Sequence, residues 1–326
     1  MPNYNGVWSL STQYQYAADW ATDNPTDFGR AFFAGGYNGS AALATIDFVL
    51  ISTTGNTSDF GDLSVAKYSP ACLGSSTRGI VAGGFYAAIT NVTNVIEFIT
   101  IGSTGNAADF GDLTVARSYA AGLSNNTRGV ISGGVDNSSR KDVMDYITIA
   151  SAGNATDFGN LTAAKTDISS AMASTTRGVI AGGDDGSQNG VATIDYITIG
   201  STGNASDFGD LTAGSRFGAA SSGSVRGLRA LGQSGGSALD TVEYVTLAST
   251  GDSTDFGNLT VATSISGSAS SKTRALFAGG VTGSGYTNAI DYFTIASTGN
   301  ATDFGNLTTT IGFVSGGSNE HGGIAA

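Results

Sequence analysis

The stretch Asp109 to Gly134, DFGDLTVARSYAAGLSNNTRGVISGG, decides the fold, because close copies of it recur along most of the chain. The tripeptide Asp-Phe-Gly stands at Asp27, Asp59, Asp109, Asp157, Asp207, Asp255 and Asp303, and from Asp59 onward the steps are 50, 48, 50, 48 and 48 residues. A fixed period of this length marks one supersecondary unit repeated in register. Within the unit, the runs Leu113 to Ser124 and Thr127 to Ile131 each suit a strand. Asn125-Asn126 between them supplies turn residues that tolerate left-handed backbone, so the two runs form a hairpin. Gly133-Gly134 ends the second strand, Met144 to Ala150 (MDYITIA) alternates as a half-buried third, and Ala152-Gly153-Asn154 turns into a short fourth around Phe158. Four short antiparallel strands per period predict a β-propeller blade.

The repeat resembles kelch repeats over roughly residues 29–317. The resemblance rests on the glycine doublets Gly35-Gly36, Gly83-Gly84, Gly133-Gly134, Gly182-Gly183 and Gly279-Gly280, each after an apolar strand, and on an aromatic that follows an acid in the third strand. Those aromatics are Phe48, Phe98, Tyr146, Tyr196, Tyr244 and Tyr292. Where the family usually has tryptophan near the blade end, this chain has Phe60, Phe110, Phe158, Phe208, Phe256 and Phe304, and in the fifth copy Leu231-Gly232 replaces the doublet, so its turn is expected to follow another path. The predicted architecture is all-β: a six-bladed kelch-like propeller over residues 29–326, preceded by a leader at 1–28.

The ends of the repeat predict how the ring closes. Arg30 to Gly36 (RAFFAGG) matches the second strand of the unit with no first strand before it, and Leu307 to Asn319 (LTTTIGFVSGGSN) matches a first strand with no blade after it. A C-terminal strand near Gly312 to Ser315, paired with Arg30 to Ala34, satisfies both open edges. The leader holds both tryptophans, Trp8 and Trp20, with Leu10, Tyr14 and Tyr16 between them. So aromatic a segment is expected to lie against something, either the propeller itself or a partner chain.

Composition narrows the function. With 14 basic against 26 acidic residues the net charge is −12, which repels a phosphate backbone and argues against nucleic-acid binding. The single cysteine, Cys72, cannot form an internal disulfide, and no secretory leader or bilayer-length apolar run is present, so synthesis in a cytoplasm without membrane insertion is expected. His321 is the only histidine and is expected at the terminal surface; with one thiol and one imidazole, no soft-metal cluster, catalytic triad or cofactor site is predicted. The repeated Asp of Asp-Phe-Gly is read as a turn cap, with calcium binding the sharper alternative.

Two sets of residues remain. An arginine opens the second strand (Arg30, Arg78, Arg128, Arg177, Arg226 and Arg274), and an acid opens the third (Asp47, Glu97, Asp145, Asp195, Glu243 and Asp291), at offsets of 17 to 19 residues. That spacing predicts a structural ring of ion pairs. Between the doublet and the third strand the copies share little, and six-fold repetition gathers these variable loops on one face suited to recognition. The residues expected to recognise are Tyr37, Phe85, Tyr86, Asp136, Asp184, Asp185, Gln188 and Tyr286; the adjacent Asp184-Asp185 also admit a glycoside-hydrolase reading.

The repeat and leader (GVWSLSTQYQYAADW) also resemble kelch-like propellers among bacteriophage virion and tail proteins. That resemblance implies a non-enzymatic virion component, a tail or fibre protein present in several copies, made in the host cytoplasm. Its leader would bind other virion proteins and its loops a host-surface glycan or protein. A capsid or tail decorating protein, an intracellular kelch adaptor and a carbohydrate-active enzyme are the alternatives.

Overall fold

The computed structural model describes residues 29–86, 91–168, 171–187 and 189–324. They form six four-stranded antiparallel sheets arranged as the blades of a β-propeller, with no helix. Blade 3 is representative: Ala121–Ser124 lines the axis, followed outward by Arg128–Ser132, Val143–Thr148 and Thr156–Asn160. The axial strand is shorter than the expected run from Leu113, because residues 113–120 are spent crossing from the rim of one blade to the axis of the next. Blade 1 is assembled from both ends of the ring: Ser315–Ser318 pairs antiparallel with Arg30–Ala34, Ala31 facing Ser318 and Ala34 facing Ser315. The closing strand therefore lies slightly beyond the predicted Gly312 to Ser315.

Each blade packs together the aromatic pair its sequence repeats, the outer-strand Phe buried and its third-strand partner half-buried. Tyr146 and Phe158 meet edge to face at 6.2 Å, and the same pairing recurs from Phe48–Phe60 to Tyr292–Phe304. Such a pair is worth about 0.5–1.5 kcal/mol beyond its buried area. Six apolar clusters, each shared by neighbouring blades, make up the core. In the fifth copy Leu231 N donates to Thr241 O as Gly133 N does to Val143 O, but Leu231 does so without the left-handed φ of 65° found at Gly133.

The glycine of Asp-Phe-Gly is explained by how closely blades approach. A Cβ on Gly159 would lie 2.4 Å from Gly203 O in the turn of the next blade, at φ 139°, so no other residue fits without moving backbone. The cap at this junction comes from the turn residue, not from the Asp of the tripeptide: Asn204 Oδ1 accepts from Asn160 N, and equivalent bonds recur at every blade boundary, with Asp252 in the Asn place at one of them. Among the described residues, the Asp residues of the tripeptide, from Asp59 to Asp303, are exposed on the outer strands.

The predicted arginine–acid ring is not formed. In blade 3, Arg128 faces Thr148 while Asp145 faces Ile131, so the two side chains lie three register positions apart. Each of the six arginines instead stacks its guanidinium on the third-strand aromatic of its own blade, 4.5 to 5.3 Å from the ring centre, and donates to a carbonyl of the next blade, as Arg128 Nη1 does to Ile199 O at 3.0 Å.

The acids clamp blades by a different route. Asp145 accepts from Thr114 N and Thr114 Oγ1, at the exit of the preceding blade, and equivalent hydrogen bonds to Ser64, Thr162, Thr212, Thr260 and Thr308 engage Glu97, Asp195, Glu243, Asp291 and Asp47. Three of these buried acids also meet a buried cation: Lys67 with Glu97 at 2.5 Å, Arg117 with Asp145 at 3.0 Å, and Lys165 with Asp195 at 2.9 Å. Where the repeat replaces this cation with Ser215, a second-strand position that is Val81, Ile131 or Ile180 in those three blades becomes Arg229, which delivers positive charge towards Glu243 from the other side. Where the cation is replaced by Thr263 or Ile311, the second-strand residue is Phe277 or Phe33, and hydroxyl and backbone N–H donors serve Asp291 and Asp47 in place of a cation.

Candidate functional site

The two ends of the ring differ in kind. One end carries the hairpins after the axial strands and the Ser-Thr-Gly-Asn turns, and it repeats almost unchanged from blade to blade. The axial channel at this end receives the C-terminal segment: Gly322 N donates to Ser222 O, and His321 Nε2 lies 3.0 Å from Gly74 O. His321 is thus drawn into the channel mouth instead of standing at the surface, and burial lowers its pKa. The wall there is built of small residues such as Gly74, Gly122, Ser222, Ser270 and Gly316, which leaves width for the tail.

The other end carries the variable loops, and its centre is built from one position per repeat. Ser69, Tyr119, Asp167, Phe217, Ile265 and Phe313 all adopt left-handed backbone, with φ from 51 to 61°. Their peptide groups link round the axis: Ser69 N donates to Phe313 O, Tyr119 N to Ser69 O, Phe217 N to Asp167 O, Ile265 N to Phe217 O and Phe313 N to Ile265 O. The sixth link is displaced by one residue, from Ile168 N to Tyr119 O, and is longer at 3.4 Å. Bulky and smaller side chains alternate round this circle. Tyr119 touches Phe217 and Phe313 with ring centres at 5.8 and 6.1 Å, so three aromatics from alternate blades crowd the axis between Ser69, Asp167 and Ile265.

Around this centre the face divides into two sectors. On one side the rings of Tyr286, Tyr37, Tyr68, Phe85 and Tyr119 form a continuous chain of contacts at 5.2 to 6.1 Å, joined to Phe313 through Tyr68. All but Tyr68 are half-buried, so they present ring surface to solvent. On the other side Asp184 Oδ2 lies 3.0 Å from Arg140 Nη2 and 3.5 Å from Arg216 Nη1. Asp167 sits between the sectors, 7 % exposed, and among the described residues the only hydrogen bond of its carboxyl is a 3.5 Å contact with Thr166 Oγ1. Burial and the neighbouring Asp184 carboxylate, only partly offset by Arg216 and Arg140, push its pKa up to about 7. A carboxyl held near its midpoint at neutral pH both donates and accepts hydrogen bonds.

Of the residues expected to recognise a ligand, Tyr37, Phe85 and Tyr286 lie in the aromatic sector and Asp184 in the charged one. Asp136 accepts from Ser138 N and Ser139 N and pairs with Lys141, an ordinary loop-tip arrangement, and Asp185 caps Ser187 N. Tyr86 stands on a short ribbon strand, Phe85–Tyr86. Gln188 and the leader residues Trp8, Leu10, Tyr14, Tyr16 and Trp20 lie outside the described residues. Sequence reading missed the axial circle, because its six side chains share no chemical type; aligning the copies and looking for the most divergent column beside the Ala/Gly-rich axial strand would have exposed it.

No group of three or more potential metal-ligating side chains occurs among the described residues, and no helix there is long and apolar enough to cross a membrane. No protein-family model and no curated protein matches the chain.

Proposed function

We propose that the chain is a non-enzymatic structural protein of a bacteriophage virion, a tail or fibre component that holds its loop-bearing face towards the host surface. The reading rests on the resemblance of the repeat to kelch-like virion proteins and on one structural observation. The clamps that build the ring repeat blade after blade, whereas divergence is concentrated at one end, in the axial circle and the loops around it. A protein serving only as a spacer has no use for a face on which every blade differs. Residues 1–28 join the ring at Gly29, on the hairpin end, where Ile51 N donates to Gly29 O. Attachment at that end would leave the divergent face free, and a glycan or protein of the host is the partner it would meet.

Deleting residues 1–24 is expected to leave a folded ring that no longer joins the particle. Replacing the loop 184–193 is expected to leave assembly intact and alter adsorption to host cells. Incorporation of the leaderless ring at wild-type copy number, or adsorption indifferent to every loop exchange, would refute the assignment and favour a decorating protein.

A further inference from the structure

We propose that the axial centre of the divergent face is a binding site for a neutral saccharide, with Tyr119, Phe217 and Phe313 offering ring surface to a sugar C–H face and Asp167 and the Arg140–Asp184–Arg216 group meeting its hydroxyls. The proposal rests on the recognition reading of this face and names the ligand class. Its starting point is strain. Left-handed backbone costs a non-glycine residue roughly 1–2 kcal/mol, most of all a bulky or β-branched one, yet none of the six positions is glycine. Sealing the axis explains the three aromatics and Ile265. Tolerance of left-handed backbone suits Asp to position 167, but it does not explain why that carboxyl is buried with so few partners when the half-buried Ile265 fills the equivalent position of another blade.

A carboxyl so deeply buried is destabilising unless its hydrogen-bonding capacity is used, and among the described residues Asp167 has no ion pair within 4.0 Å and only the Thr166 hydroxyl contact. The displaced sixth link of the peptide circle falls between Tyr119 and Asp167, so the one irregularity of the ring coincides with its one buried axial charge. Nearby, Arg216 Nε is buried without a partner while its Nη1 faces Asp184, which leaves a donor beside the acceptor.

The same features select the ligand. Both arginines already share Asp184, so no free cation awaits a carboxylate or phosphate, and the net charge of −12 repels polyanions. A purely apolar ligand would leave Asp167 and Arg216 Nε unsatisfied. A flat neutral ring with hydroxyl edges satisfies both the aromatic and the polar sector.

The test uses the full chain and titrates maltohexaose, cellohexaose, N-acetylchitohexaose and mannan, with sialyllactose and polygalacturonate as acidic probes, by calorimetry and saturation-transfer NMR. At least one neutral probe is expected to bind, and Asp167→Asn, which keeps volume and tolerance of left-handed backbone, is expected to weaken it by roughly tenfold or more. Tyr119→Ser, which copies the residue found at position 69, is expected to do the same with the melting temperature held within about 2 °C; if it unfolds, Asp167→Asn decides alone. Preference for the acidic probes, or no binding by any probe, overturns the proposal. Neutral binding that neither variant weakens also overturns it but leaves the recognition face standing, with the ligand on the outer loops, whereas adsorption unmoved by loop exchange sinks the recognition reading itself.

Discussion

Blade 5 solves the problem of its buried acid differently from its neighbours, and the difference can be reversed by design. Glu243 is 1 % exposed and accepts hydrogen bonds from Thr212 and Ser253, while the Arg229 guanidinium that balances it is equally buried, with three nitrogens lacking partners among the described residues. Desolvation lowers the Arg229 pKa to about 10, with Glu243 opposing the shift. Replacing Arg229 with Val, as in blade 2, leaves the acid without a cation, a loss of about 3–5 kcal/mol in a closed site, offset by about 1–3 kcal/mol because the poorly satisfied guanidinium no longer has to be desolvated. A net destabilisation of about 1–3 kcal/mol is expected. Ser215→Lys alone buries a second cation beside Arg229 and is expected to cost at least as much. Combined, the two changes recreate the Lys165–Asp195 arrangement, with Ser215 Oγ, buried and unpartnered, replaced by a cation within reach of Glu243. The double variant should therefore match or exceed wild type, giving a coupling of about 2 kcal/mol or more. At ~2.1 cal/mol/K per residue, a ring spanning residues 29–324 shifts its melting temperature by roughly 1.6 °C per kcal/mol, which calorimetry resolves. If the effects of the two single variants add in the double variant to within about 0.5 kcal/mol, the exchange of cation between strands is refuted.

Further outcomes follow from the clamps. Gly159→Ala should destabilise by about 2–4 kcal/mol through the clash with Gly203 O, whereas Gly153→Ala, with nothing within 4 Å, should be nearly neutral; equal melting curves would show that blade contacts are looser than described. Removing residues 315–326 takes away the closing strand and should cause aggregation or a large fall in melting temperature, whereas a soluble product with an unchanged melt would sink the closure. Burial alone would raise the Glu97 pKa, but Lys67 and the Ser64 contacts outweigh it and hold the pKa low, so this stabilisation is present above the ordinary glutamate range and is lost as pH falls through the lowered value. Burial without a cation raises the Asp291 pKa, so its protonated form favours the fold and that contribution is lost as pH rises; Asp291→Asn should stabilise more at pH 8 than at pH 4, and urea titrations at the two values check the sign.

What the sequence made legible was what repeats. The Asp-Phe-Gly period gave the blade count, the matched half-repeats at Arg30 and Leu307 gave the closure, and the paired aromatics gave the blade interior. The ion pairs went astray because a spacing of 17 to 19 residues places arginine and acid on adjacent strands without fixing how far along them each lies, and the ladder sets Arg128 opposite Thr148. The true cations were hidden because only three copies keep them, at Lys67, Arg117 and Lys165, and a fourth moves its charge to another strand as Arg229. The axial circle was hidden for the opposite reason: it is defined by backbone conformation, and side chains as unlike as Ser69 and Phe217 occupy it. Variation itself was the only trace it left.

The alternation of large and small residues on the axis also sets a rule of parity. A ring in which Tyr119, Phe217 and Phe313 are separated by Ser69, Asp167 and Ile265 keeps that alternation only when its blade count is even. Duplicating or deleting one repeat sets two bulky rings, or two small residues, side by side, either crowding the centre or opening a hole in it. Gain or loss of two adjacent repeats restores the order. Packing at the axis therefore favours an even number of blades and places no such demand on the loops around it.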